Sequence, residues 1–263
     1  MPTMAYRTIP TGWTLVSLRP QGQHAALRAG AAALGASTIA LSPWRLRRNH
    51  DAASGAQLQR ALQASRVVFT SPAAVVAAAG FAPIFAAAPV RPWLAVGEGT
   101  LRALQAAGIA HAQAPSRMDS EGLLALPAMQ QVQGQQVGLV TAPGGRGLIA
   151  AELQARGAEM VRADVYQRMP LRLHPRALAR LSRSPRPWLL VVSSGEALQR
   201  TWTQLSPRWQ DCWRARMSVV VASERLHAQA HALGFADVTQ AAGPTRAQLL
   251  AGCRQRLQQP RRD

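Results

Sequence analysis

At 263 residues and 48% hydrophobic content, the chain has enough apolar material for one large or two small domains, which excludes a disordered tail. Its formal charge of +18 is carried by arginine alone, and without a single lysine no Schiff base can form on a side chain. The arginines are spread along the chain, which points away from a nucleic-acid-binding arm while leaving a positive field that attracts polyanions.

Trp13 to Leu18 reads as a first strand, followed by Arg19-Pro20, a helix over about Gln21 to Leu34, a capping Gly35 and a second strand at Ser37 to Leu41. Ser42 to Arg48 is a basic stretch with a helix breaker, the candidate hinge. A helix near Gly55 to Ala64 leads to a strand at Arg66 to Phe69, which opens onto Thr70-Ser71-Pro72 and an Ala/Val helix. Trp93 to Val96 is a strand ending at Gly97-Glu98-Gly99-Thr100, with a helix to Ala107 behind it. Leu123 to Val132 is polar and Gln-rich, a linker or a loose helix.

Val137 to Tyr166 is the most informative stretch. An apolar strand at Val137 to Thr141 meets a turn at Pro143-Gly144-Gly145, then a helix with Leu148, Ile149 and Leu153 on one face and the Glu152–Arg156 pair on another. Gly157 caps that helix, and Glu159 to Tyr166 reads as the next strand. This is the strand–turn–helix–strand unit of a parallel sheet. Backbone N–H groups at the helix start, with Arg146 beside them, favour a bound anion; the same turn also serves as a tight connection with no ligand. Further on, Trp188 to Val192 is a strand leading into Ser193-Ser194-Gly195 and a helix. Ser218 to Ala222 is a strand leading into Ser223-Glu224-Arg225 and a helix to Leu233, and Thr245 to Gln258 is the final helix.

The two halves match in order. Residues 12–41 pair with 134–165, 67–75 with 189–198, and 93–109 with 218–235, an internal duplication at about half-chain period. Two similar α/β units with parallel strands and helical crossovers follow from it. In both, short hydroxyl and small residues sit directly after strands: Thr70, Ser71, Gly97, Thr100, Thr141, Ser193, Ser194 and Ser223. Open parallel sheets bind ligands outside the carboxyl ends of their strands, so these loops supply N–H and O–H donors suited to a carboxylate or phosphate. Each hydroxyl could equally be a helix N-cap.

Conventional catalytic machinery is sparse. None of the six histidines follows an apparent strand end; His227 and His231 have helical i,i+4 spacing but no neighbouring third ligand. Ser194 lacks the preceding glycine of a nucleophile elbow, and Gly144-Gly145-Arg146-Gly147 matches neither the phosphate-loop nor the dinucleotide pattern. No cofactor or metal is expected. Cys212 and Cys253 form no ligand motif and read as free thiols in a reducing compartment. With no apolar run of membrane-spanning length and no signal-peptide core, a cytoplasmic protein without membrane contact is expected. Tyr166, one of only two tyrosines, ends a strand beside Arg168, where it is either a junction aromatic or a functional phenol.

The ordered motifs TSPxAV at 70–75, AVGxxT at 95–100, GGR at 144–146, VYxR at 165–168, SSGEAL at 193–198 and SER at 223–225, with Arg19-Pro20 after the first strand, resemble the uroporphyrinogen-III synthase family. That resemblance spans nearly the whole chain. It implies two flavodoxin-like α/β domains with exchanged sequence halves: residues 1–43 with 168–263, and residues 45–166, joined by a two-stranded connector near 42–47 and 166–171. A cut through the repeat alone would fall near residue 130.

The implied reaction closes linear hydroxymethylbilane to uroporphyrinogen III, losing water and inverting ring D. The resemblance makes Tyr166 the candidate donor to the departing hydroxyl. The substrate-binding candidates are Arg19, Thr70, Ser71, Gly97, Thr100, Gly144, Gly145, Arg146, Ser193, Ser194, Gly195, Ser223 and Arg225. Transient contact with the upstream hydroxymethylbilane synthase is a further expectation. The chain departs from the family pattern at Leu18, at Ala73 and at Thr141-Ala142, where Thr, Asn and Arg-Gly are common. Two other functions stay open on sequence alone: a non-catalytic binder of an anionic small molecule, and, on net charge only, a nucleic-acid binder.

Overall fold

The computed structural model describes residues 12–81, 91–144 and 147–259. The chain divides into two compact units, residues 1–45 with 170–263 (unit 1) and residues 46–169 (unit 2). Both chain crossings fall within strands: β3 (Trp44–Arg48) and β8 (Tyr166–Pro170) pair with each other as a two-stranded sheet. The basic stretch expected as a hinge is therefore largely strand. Its proline, Pro43, lies just outside, where its carbonyl accepts from the Leu171 N–H.

Unit 1 holds a five-stranded parallel sheet in the order β11-β10-β9-β1-β2. Its strands are β1 (Trp13–Ser17), β2 (Ala36–Ala40), β9 (Trp188–Val192), β10 (Met217–Val221) and β11 (Val238–Gln240). The centre of the sheet is β1 against β9, with Val16 opposite Leu190, so the first strand of the chain pairs with one from far along its second half. β1, β9 and β10 are buried along their whole lengths, as parallel strands covered on both faces must be. Trp13, Leu15 and Val220 pack with Leu27 of α1 (Ala25–Ala32) and Leu249 of α11 (Arg246–Gln258).

Unit 2 holds a four-stranded parallel sheet in the order β5-β4-β6-β7, from β4 (Arg66–Phe69), β5 (Trp93–Ala95), β6 (Gln136–Thr141) and β7 (Glu159–Asp164). Alternate residues of β4 feed two cores: Val67 and Phe69 join one, Val68 the other. β6 lies so close to α2 (Ala52–Gln63) that a Cβ at Gly138 would overlap the Ala61 carbonyl oxygen. Gly138→Ala is expected to cost about 1–3 kcal/mol through this overpacking, read as a lower denaturant midpoint for unit 2; an unchanged midpoint would mean that α2 shifts freely.

Several elements differ from the sequence reading. Of the two readings of residues 123–132, linker or loose helix, the structure takes the helical one, in short pieces packed into the core. Asp119 caps α5 (Ser120–Leu124) by accepting from the Gly122 N–H at 2.8 Å, and Leu123, Leu124, Met129 and Val132 are core residues. Tyr166 opens β8 rather than ending β7, because the chain breaks at Val165. That residue is fully buried, donates to the Thr141 carbonyl and accepts from the Asn49 N–H. Two helices of unit 1, α7 (Pro175–Ser182) and α9 (Pro207–Arg216), and the short β11 were not anticipated. Both helices begin with proline at the first turn and carry one buried residue each, so neither buries a run of apolar positions.

Candidate functional site

In unit 2 the chain runs from β4 outward to β5 and then returns to the other side of β4 as β6. The connections leave in opposite directions there, which opens a crevice outside the carboxyl ends of β4 and β6. A cavity of about 200 Å³ lies at this point, lined by Thr70, Ser71, Thr141, Tyr166 and Arg168 among others. Thr70 and Thr141 follow the paired residues Phe69 and Val140, and their hydroxyls share a 2.7 Å hydrogen bond. Ser71 is the N-cap of α3 (Pro72–Ala78): its hydroxyl oxygen accepts from the Ala74 N–H at 3.1 Å and also meets the Tyr166 hydroxyl at 3.1 Å. Tyr166 is only 4% exposed, with its ring in the core of unit 2 and its hydroxyl held by Ser71.

Positive charge and backbone donors complete the cavity. Gly147, left-handed at φ 66°, is the N-cap of α6 (Leu148–Ala155) and supplies no side-chain cap to the first N–H groups. Gly147, Leu148, Ile149 and Ala150 all line the cavity, so the electropositive helix start borders it. Arg162 lines it as well, paired with Asp164 at 2.9 Å and donating to the Ala142 carbonyl at 3.1 Å. Gly144 lies within reach of Arg168 and lines the cavity, whereas Gly145 and Arg146 fall outside the described residues. Gly97 and Thr100 do not line it. Gly97 starts α4 (Glu98–Ala106), and Thr100 is 4% exposed inside that helix.

Unit 1 has its own reversal of strand order, between β1 and β9. Outside it stand Arg19 after β1 and Ser193 and Ser194 after β9. Ser194 caps α8 (Gly195–Trp202) by accepting from the Ala197 N–H at 3.3 Å. On the neighbouring β10, Ser223 starts α10 (Glu224–Ala232) without a side-chain cap bond. Gly195 is buried where a Cβ would meet the end of the Gln229 side chain and approach Arg225, so the start of α8 lies against α10 and a larger residue would displace Gln229. Gln229 donates to the Gly195 carbonyl at 2.9 Å. Arg19 is half-buried; its guanidinium loses proton affinity first to burial and then to the neighbouring Arg246.

His24 was not singled out from the sequence. It is 6% exposed, with Nδ1 at 2.9 Å from the Ser17 hydroxyl and Nε2 at 2.8 Å from the Ser42 hydroxyl. Burial, and then Arg28 and Arg19, hold its pKa below the ordinary 6.5. The unfolded chain therefore binds the proton more readily, and the stability that neutral His24 contributes is complete above about pH 6.5 and lost in acid. Denaturant unfolding at pH 7.5 and 5.5 is expected to show a larger acid loss in the wild type than in His24→Gln; equal losses would mean that His24 titrates normally. Arg162, Arg168 and Ser120 also line the unit 2 cavity without having been chosen as candidates. Arg168 alone had a signal, as the last position of the VYxR motif.

His227 and His231 meet edge to face with ring centroids 4.6 Å apart, yet no group of three or more His, Cys, Asp or Glu able to hold a metal exists among the described residues. Cys253 is buried and its thiol is pushed up to about 12 by that burial, which leaves it inert as a nucleophile. No helix among the described residues is long and apolar enough to cross a membrane.

Among curated proteins, the chain is 36% identical over 162 residues to "Uroporphyrinogen-III synthase" of Salmonella typhimurium, covering 57% of this chain and 62% of that protein. It is 37% identical over 120 residues to the protein of that name from Escherichia coli K12, covering 45% and 48%. The matches thus span less than two thirds of either relative. Among solved structures, a mutant uroporphyrinogen III synthase from the extremely thermophilic bacterium Thermus thermophilus superposes with a TM-score of 0.61 at 16% identity, over 94% of this chain and 99% of that one. The Helicobacter pylori 26695 uroporphyrinogen-III synthetase superposes with a TM-score of 0.57 at 12% identity, over 91% and 97%. Both share the fold. The family model described as uroporphyrinogen-III synthase HemD matches residues 21–251, and the chain belongs to that family.

Proposed function

We propose that this protein cyclises hydroxymethylbilane to uroporphyrinogen III, a hydro-lyase step of tetrapyrrole biosynthesis. The observation that carries the reading is the unit 2 cavity, where a buried tyrosine hydroxyl, the hydroxyls of Thr70, Ser71 and Thr141 and a helix start without a side-chain cap meet beside Arg168. The substrate is a chain of electron-rich pyrroles bearing carboxylates. Amide N–H groups, hydroxyls and arginines suit those carboxylates.

Pyrrole nitrogen lone pairs assist the departure of hydroxide, so a weak acid is enough to protonate the leaving oxygen. Tyr166 supplies that proton while Ser71 holds its hydroxyl in place. The azafulvene left behind is attacked by the substituted carbon of ring D, giving a spiro intermediate. The bond from that carbon to the ring C bridge then breaks, the azafulvene so released on ring C bonds to the unsubstituted carbon of ring D, and loss of the proton there restores the pyrrole. The protein's larger contribution is to hold the folded chain in the geometry that favours first attack by the substituted carbon over the free one. A site poor in acid–base pairs fits such a division of labour. Arg19, Ser193, Ser194, Gly195, Ser223 and Arg225 in unit 1, and Thr70, Gly144, Gly145 and Arg146 in unit 2, serve as further carboxylate contacts, whereas Gly97 and Thr100, which do not line the cavity, drop out of that set. The protein works in the cytoplasm, where a transient encounter with hydroxymethylbilane synthase would hand over its unstable product.

The test is a coupled assay: porphobilinogen and hydroxymethylbilane synthase with and without this protein, then oxidation and chromatography of the porphyrin isomers. Spontaneous closure yields isomer I. A switch to isomer III is expected. Isomer I alone, from folded protein, would refute the activity and leave a non-catalytic binder of anionic tetrapyrroles.

A further inference from the structure

Arg19 lies inside a loop that is tied at both ends. The Ser17–His24 hydrogen bond closes the span from the last residue of β1 to the residue preceding α1. On its other side His24 holds Ser42, which precedes β3. Within the loop, the Ser17 hydroxyl oxygen also accepts from the Arg19 N–H at 3.5 Å, the Gln23 N–H donates to the Pro20 carbonyl at 3.0 Å, and the Gln21 N–H donates to the Trp44 carbonyl at 2.9 Å. The Arg19 guanidinium itself has no hydrogen-bond or ion-pair partner among the described residues. A half-buried arginine beside a second arginine, with no acid to neutralise it, is in place for an anion from outside the chain.

We infer that His24 is a positioning residue: a neutral imidazole that clamps Ser17 to Ser42 and so fixes the Arg19 turn for a substrate carboxylate. Both ring nitrogens are occupied, and each hydroxyl can serve as donor or acceptor, so one neutral tautomer satisfies both bonds. Its neutrality suits the place, since a charge there would add to those of Arg19 and Arg28. A shorter or purely apolar side chain would release both serines and let the Arg19 turn move. The inference rests on the proposed contact between Arg19 and a carboxylate of the linear tetrapyrrole.

The experiment measures KM and kcat for freshly prepared hydroxymethylbilane in wild type, Arg19→Ala, His24→Leu, His24→Gln and the Arg19→Ala/His24→Leu double variant. Loss of one charge-assisted contact is expected to raise KM about tenfold in Arg19→Ala. His24→Leu is expected to raise KM comparably with kcat changed less than about twofold, His24→Gln to recover most of the loss, and the double variant to be no worse than Arg19→Ala alone. Should His24→Leu not fold, Ser17→Ala, which removes the same clamp from the other side, is expected to give the same KM shift. An altered KM in Arg19→Ala with a wild-type KM in folded His24→Leu or Ser17→Ala would overturn the positioning role alone. Additive losses in the double variant would do the same. A wild-type KM in Arg19→Ala would remove the carboxylate contact and the positioning role with it.

Discussion

Tyr166→Phe is expected to lower turnover of hydroxymethylbilane by about 10²-fold, the low end of what a positioned proton donor contributes, with the fold intact. The substitution removes only the hydroxyl. Its partner Ser71 keeps its capping bond to the Ala74 N–H, and the ring stays packed in the core of unit 2. Single-turnover kinetics with isomer analysis check the rate, and circular dichroism checks the fold. In the proposed role the hydroxyl acts on the step in which water is lost, so kcat should fall while KM stays close to wild type. Near-wild-type turnover would remove Tyr166 from the chemistry and leave the hydroxyl pair as a structural bond between α3 and β8.

Arg256→Met is expected to destabilise unit 1 by about 3–5 kcal/mol, because it strands a buried carboxylate. Arg256 on α11 and Asp237 just before β11 are 5% and 3% exposed, and the guanidinium grips both carboxylate oxygens. The Ser218 hydroxyl at the start of β10 adds a 2.6 Å bond to the same carboxylate, so the cluster fastens the last helix to the sheet edge. Asp237→Leu added to Arg256→Met is expected to recover much of the loss, since an apolar pair of similar volume no longer carries an unpaired charge. Tryptophan fluorescence in a denaturant titration reports mainly on unit 1, because Trp93 is the single tryptophan of unit 2. A single variant as stable as wild type would show that Asp237 finds water or another partner.

The two clusters divide the chain's charge into different uses. Arg256 is neutralised inside the fold, while Arg19 stands half-buried with no acidic partner among the described residues. A formal charge of +18 therefore says little by itself; what matters is which guanidinium groups lack a carboxylate of their own.

Much of this architecture was legible in the sequence because parallel strands buried on both faces read as short apolar runs with turn chemistry at their ends. The strands at Trp188 to Val192, Arg66 to Phe69 and Val137 to Thr141 and the helix behind Gly147 lie where the residues put them. The hydroxyl positions after β4 and β9 were equally plain, since Ser71 and Ser194 there cap the helices that follow. Local pattern could not show which strands are neighbours. Cut through its repeat, the chain divides near residue 130; the exchanged halves came from the family resemblance and not from the pattern, and in the fold they rest on the pairing of β1 with β9. Nor could it reveal that residues 123–132 are core, that Tyr166 begins a strand, or that His24 bridges Ser17 and Ser42. Each of these depends on a partner distant in sequence. Propensity and periodicity act within a turn or a strand, whereas burial and hydrogen bonding across the sheet are settled only when remote segments meet.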